Sequence, residues 1–287
     1  MTPFLPGHAA SRVQPVTDSV QQPALLVDAV GTIHTPCTTP TRIVSLVPSI
    51  TELLCDLGLF SSLVGRTGFC IHPKEVIASI AKVGGTKDVN IDKIRKLAPT
   101  HLIVNIDENE KPAVDALAEF IPHIVVTHPL VPRDNLALYQ LLGNIFGAQA
   151  KALQLCQRFE EAYALLPALP ELSDQTVRRK LVYCIWQDPW MTVSSATYIS
   201  AMLALRGWQT WSPPDSTARY PVFRWNDEML REIDGVLLSS EPYRFTETHV
   251  DALEKQLGLP VQLVDGEMLS WYGSRAIAGL HYLKQLA

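Results

Sequence analysis

The chain has 287 residues, 47% of them hydrophobic and 18% Asp, Glu, Lys or Arg. That is room for one large domain or two smaller ones around a proper core, which excludes wholesale disorder and a disulfide-stapled mini-scaffold. A net charge of −5 with no long basic run removes the electrostatic footprint of a nucleic-acid surface. The five cysteines (37, 55, 70, 156 and 184) are widely spaced and form no CxxC pair, so reduced, mostly buried thiols are expected. No apolar run approaches the roughly 20 residues of a membrane helix. The first residues, MTPFLPGHAASRVQPV, carry neither the early basic residue nor the apolar core of a secretory signal, and read literally they place the chain in the cytoplasm.

In chain order, residues 1–40 hold six of the 21 prolines and only three charged residues, so an irregular arm is expected, with at most a short edge strand within 24–33. From Arg42 short apolar runs alternate with amphipathic stretches of about ten residues, the pattern of βα units on a parallel sheet. Strands are predicted over 42–47, 62–66, 101–105 and 123–127, with helices opening near Pro48, Pro73 and Asn90. Between Val131 and Pro167 the alternation stops, and apolar residues recur every three or four positions in two pieces that Gly147 separates. Strands resume at 180–185, 235–240 and 261–265. The division is therefore an arm (1–40), an α/β lobe (41–130), a helical connector (131–170) and a second α/β lobe (171–287). NIDKIRKLAPTHLIVN (90–105) and NDEMLREIDGVLLSS (226–240) echo one another, each running from a short helix through a turn into a strand and on to an acidic residue, Glu108 or Glu241.

Catalytic signatures are missing: there is no GxSxG, HExxH, GxGxxG or phosphate loop, and the eight histidines do not cluster at ligand spacing. A non-enzymatic chain with no intrinsic cofactor and no bound metal is expected. The aromatic distribution is uneven, because all six tryptophans and six of the eight tyrosines lie beyond residue 182. In open α/β sheets ligands bind outside the carboxyl ends of the strands. Trp186, Trp190, Trp271 and Tyr272 fall in such loops and are expected to pack on a ligand, with Phe69 from the first lobe. Trp208 and Trp211 are expected in the core. Thr86, Glu108, Asn109 and Arg275 are the polar candidates, the arginine because a guanidinium suits carboxylate or phosphate groups. A cleft with one aromatic and one polar wall suits a flat or macrocyclic small molecule.

RIVSLVPSITELLCDLGL, VGRTGFCIHP and KVGGTKDVNIDKIRKLAPTHLIVN, followed by IWQDPWM, LLSSEPYRF and LVDGEMLSWYGSR, resemble the helical-backbone substrate-binding proteins of ABC importers, closest to the cobalamin-binding branch. The resemblance covers about 42–287. It implies two Rossmann-like lobes, each a mostly parallel sheet flanked by helices, joined by a long rigid connector helix with a ligand cleft between them. It further implies a monomer that binds cobalamin or another metal chelate, with Asp92 and Asp227 docking on an ABC permease, and a periplasmic setting if the start site is misassigned. The alternatives are a ferric-siderophore or haem binder, a cytoplasmic tetrapyrrole-processing enzyme, marked by a perturbed carboxylate facing a histidine, and a direct metal-ion receptor.

Overall fold

The computed structural model describes residues 26–166 and 179–286. Most of the predicted arm lies outside the described residues. Its last part is a hairpin of two short antiparallel strands, β1 (Leu26–Val27) and β2 (Ile33–His34), rather than one edge strand. Asp28 organises that hairpin, accepting from the N–H groups of Val30 and Thr32 through Oδ1 and from Val126 N–H through Oδ2.

The first lobe runs β3 (Ile43–Ser45), α1 (Pro48–Asp56), β4 (Leu63–Arg66), α2 (Lys74–Ile77), β5 (Ala81–Lys82), α3 (Ile91–Lys96), β6 (His101–Asn105), α4 (Lys111–Ala118) and β7 (His123–Thr127). Helices α5 (Asp134–Ile145) and α6 (Gln149–Ala164) follow. The second lobe comprises β8 (Lys180–Cys184), α7 (Tyr198–Ala204), β9 (Gln209–Thr210), α8 (Asp227–Leu230), β10 (Gly235–Ser239), α9 (Glu247–Leu257), β11 (Val261–Val264), α10 (Gly266–Ser270) and α11 (Arg275–Gln285).

Both sheets are wholly parallel and share one plan, β5-β4-β3-β6-β7 in the first lobe and β9-β8-β10-β11 in the second. In each, the first strand lies between the second and the later ones, so the direction of winding reverses beside β3 and β8, where a crevice opens at the carboxyl ends. The sequence echo is real at this level. Asn90 and Asn226 each cap a short helix, accepting from the N–H of Lys93 and of Met229, and each helix leads into the strand beside the reversal, β6 or β10.

Parallel strands covered on both faces need apolar residues at every position. Along β3, β6, β8 and β10, alternate residues divide accordingly between two cores. Ile43, Ile103, Leu181, Tyr183 and Leu237 face a large cluster that also contains Tyr139, Phe159, Leu280 and Leu283. Val44, Leu102 and Val104 face a separate cluster in the first lobe, and Val182, Cys184, Val236 and Leu238 one in the second. One apolar core thus extends from the first sheet through α5 and α6 to the second, and it resists independent motion of the lobes.

The connector is two packed helices rather than the single rod the resemblance implies. Gly147 adopts φ 73°, a left-handed conformation that ends α5 and lets α6 begin. Asp134, the first residue of α5, accepts from Leu130 and Val131 N–H and so fixes the turn that leads into the helix. Helix α11 lies so close to α10 that a Cβ on Gly279 would collide with the Met268 carbonyl oxygen. Gly279→Ala is therefore expected to cost about 1–2 kcal/mol, because strained overpacking outweighs the better helix propensity of alanine. Urea unfolding of the variant measures this, and a stability gain would refute the close approach.

Candidate ligand-binding site

The loops at the carboxyl ends of β3, β6, β8 and β10 converge on a cavity of about 650 Å³ between the lobes. Its first-lobe wall contains Ser49 at the start of α1, Phe69, Thr86, Asn105 at the end of β6, and Asp107 and Glu108 just beyond it. Its second-lobe wall contains Ile185 and Trp186 after β8, Glu241 after β10, and Ser270, Trp271 and Tyr272 between α10 and α11.

Backbone stitching explains how these loops hold their shape. Buried Arg66 donates to the carbonyls of Thr67, Cys70 and Ile77, which fixes the 67–77 loop and leaves Phe69 at its tip, 64% exposed. In the VGGT turn only Gly84 needs its freedom, at φ 113°, where a Cβ would meet the Asp88 carbonyl. Trp186 is 40% exposed, packs edge-on against Tyr243, and is held in place by Met191, whose N–H donates to the Trp186 carbonyl and whose carbonyl accepts from Ile185 N–H. The other face of the aromatic wall is firmly built in. The Trp271 Nε1–H donates to Glu241 Oε1 at 2.8 Å, and the indole is flanked by His72 and by the Arg275 guanidinium.

Three polar ties cross between lobes around the cavity. Arg275 grips Glu52 through two bonds of 2.7 and 2.8 Å and also pairs with Glu267, which in turn meets His72. Arg219 pairs with Asp107 at 3.0 Å and donates to His128. In the floor, the Tyr272 hydroxyl donates to Glu108 Oε1 at 2.6 Å. Burial pushes the Glu108 carboxyl up to about 7; nearby Glu241 and Asp107 add to the rise and the Tyr272 bond opposes it. Burial also raises Glu241, against the bonds it accepts from Ser270 and Trp271, and pushes Tyr220 on the cavity wall up to about 12.

Of the residues expected at the ligand, the structure brings Phe69, Thr86, Glu108, Trp186, Trp271 and Tyr272 to the cavity and three elsewhere. Trp190, half-buried, stacks on Phe245 with ring centroids 5.9 Å apart and packs edge-on to Trp225, against the second lobe's own core rather than on the cavity. Asn109 is a brace, accepting from Asn105 N–H and donating to the carbonyls of Leu46 and Thr86, so it shapes three cavity loops without lining them. The Arg275 guanidinium is consumed by Glu52 and Glu267 and is not offered to a ligand anion. Trp208 and Trp211 are core residues, 6% exposed, as expected. Sequence reasoning missed Tyr198, Tyr220 and Met191 as wall residues: the first opens α7, Met191 ends the loop after β8 and is not aromatic, and Tyr220 lies far along the loop after β9, a strand too short to read in the sequence.

All five cysteines are free, three of them buried. Among the described residues no three His, Cys, Asp or Glu side chains converge as metal ligands, and no helix is long and apolar enough to cross a membrane. Asp92 and Asp227 are both exposed in the first turns of the matching helices α3 and α8.

Comparison with known proteins agrees with this architecture. The family described as periplasmic binding protein matches residues 43–220. The chain belongs to that family. It is 24% identical over 258 residues to the uncharacterized ABC transporter substrate-binding lipoprotein YvrC of Bacillus subtilis (strain 168), covering 86% of this chain and 79% of that one. It is 22% identical over 238 residues to the vitamin B12-binding protein of Pectobacterium carotovorum subsp. carotovorum (strain PC1), covering 83% and 85%. Among solved structures, the periplasmic vitamin B12 binding protein BtuF of Vibrio cholerae aligns with a TM-score of 0.68 at 17% identity, over 85% of this chain and 95% of that one. The periplasmic heme binding protein HutB of Vibrio cholerae aligns with a TM-score of 0.69 at 20% identity, over 86% and 98%. The chain is thus a two-lobed solute binder of the periplasmic-binding-protein type. The family is made of substrate-binding proteins rather than enzymes. The structure meets the mark set for the enzyme reading only by half, since both raised carboxyls bond Tyr, Ser and Trp side chains and neither bonds a histidine.

Proposed function

We propose that the inter-lobe cavity holds a large, flat metal chelate, with cobalamin the favoured ligand, for delivery to an ABC permease on the outer side of the cytoplasmic membrane. The observation that carries this is the cavity itself, about 650 Å³ with Phe69 and Trp186 exposed at its rim and Trp271 and Tyr272 packed into its wall. Rigid aromatic faces on both lobes suit a macrocycle that extends beyond the cavity mouth. The B12-binding relatives support the ligand, and the substrate-binding lipoprotein supports the transport setting in place of the cytoplasm. Docking through Asp92 and Asp227 fits their exposure on equivalent helices, one per lobe.

Tryptophan-fluorescence titration with cyanocobalamin, cobinamide and haemin tests the reading. Cyanocobalamin is expected to bind with micromolar or tighter affinity. Trp186→Ala should weaken it about tenfold, or about 1.4 kcal/mol, with little change in melting temperature, since that ring is largely outside the core. Trp271→Ala is the poorer probe, because its hydrogen bond to Glu241 and its packing make it part of the fold as well. Binding of haemin alone would overturn the corrinoid assignment.

A further inference from the structure

The charges around the cavity are not evenly compensated. Asp107 has Arg219 from across the lobe boundary, and Glu267 has Arg275 from its own lobe. Lys87 at the mouth approaches Glu110 at 3.8 Å. Among the described residues two lining carboxylates have no cation paired with them, Glu108 from the first lobe and Glu241 from the second. Each is held through one oxygen by neutral donors: Glu108 Oε1 by the Tyr272 hydroxyl, Glu241 Oε1 by the Ser270 hydroxyl and the Trp271 indole N–H. Among the described residues nothing donates to either Oε2 atom. The side chains are thus fixed in orientation while half of each acceptor capacity is left over, in a cavity whose remaining walls are largely aromatic and aliphatic.

Resting on the cavity as the binding site for a flat chelate, we propose that Glu108 and Glu241 form a two-sided acceptor that selects ligands by charge, engaging amide N–H or cationic groups at the ligand edge and rejecting ligands that carry free carboxylates there. A ligand amide meets both spare oxygens, one on each lobe, and so links the lobes as it binds. A ligand carboxylate instead brings like charge against two desolvated carboxylates with no free guanidinium nearby. Of two tetrapyrroles with equally flat faces, the one with amidated or esterified edges is retained.

The test uses two ligand pairs that differ only in edge charge: cyanocobalamin against its amide-hydrolysed tricarboxylate, and haemin dimethyl ester against haemin. Dissociation constants are measured at pH 8, above the value of about 7 to which burial lifts Glu108, for the whole protein and for E108Q, E241Q and the double variant. Wild type is expected to prefer the uncharged-edge member by about tenfold or more in whichever pair binds, and the double variant to narrow that ratio to about threefold or less. Each single variant should lose part of the discrimination, so the result does not depend on the double variant folding. Equal binding of both members, or a ratio unchanged in the variants, overturns the proposal while leaving the cavity assignment intact. Failure of all four compounds to bind overturns both.

Discussion

Arg275→Met is expected to destabilise the protein by about 3 kcal/mol and to loosen the lobes, because it leaves Glu52 and Glu267 facing one another without the cation that now joins them. The three side chains are 11%, 16% and 22% exposed, so the carboxylates cannot simply turn to water, yet they are wet enough to keep the cost near the lower end for a broken buried pair. For a chain of this length the loss corresponds to a melting temperature lower by roughly 6–10 °C. Arg133 supplies the comparison. Its pair with Glu160 is about half exposed on both sides, and Arg133→Met should cost under about 1 kcal/mol. Adding Glu52→Gln and Glu267→Gln to Arg275→Met should return much of the stability by removing the stranded charges. If Arg275→Met proves as mild as Arg133→Met, the tie between α1 and α11 contributes little and the shared apolar core alone holds the lobes.

That tie also shows where sequence reading stops. The strand over 101–105 was legible to the residue, because a parallel strand buried on both faces is an uninterrupted apolar run bounded by turns, and so was 123–127, a half-buried edge strand whose β-branched run marks it. The two-residue edge strands β5 and β9 were not, being too short for any period, and neither was α4, which buries only Leu117. Loops at strand ends carried enough of the site to bring out Trp186, Trp271 and Tyr272. They misled at Trp190, where Pro189 suggests an exposed turn but Phe223, Trp225 and Phe245, distant in sequence, draw the ring onto the second lobe's core. Arg275 failed as a ligand contact for a related reason. A guanidinium in a cleft is equally suited to a ligand anion and to a carboxylate of the protein, and the partner that decides is 223 residues away.

Glu108→Gln is expected to stabilise the ligand-free protein by about 3 kcal/mol at pH 8 and by under about 1 kcal/mol at pH 5. The carboxyl has an ordinary value of 4.5 and is lifted to about 7 in the fold, chiefly by burial. Below pH 4.5 the folded and unfolded chains both carry the proton and nothing is lost. Between 4.5 and 7 the folded chain holds a proton that the unfolded chain has released, so stability falls as pH rises, and above 7 the penalty is complete. The groups facing Glu108 do not cancel it. Tyr272 donates one hydrogen bond, Glu241 and Asp107 repel, and Arg219 is engaged by Asp107. An amide oxygen at the same place still accepts from Tyr272 and has no proton to lose. Melting curves from pH 5 to 8 should therefore diverge between wild type and variant as pH rises, and a constant offset would mean that the variant repacks the floor rather than removing a buried charge. Stability lost in the empty cavity in this way is recovered when a ligand N–H meets the carboxylate, so the same substitution that strengthens the free protein should weaken its hold on an amide-edged ligand.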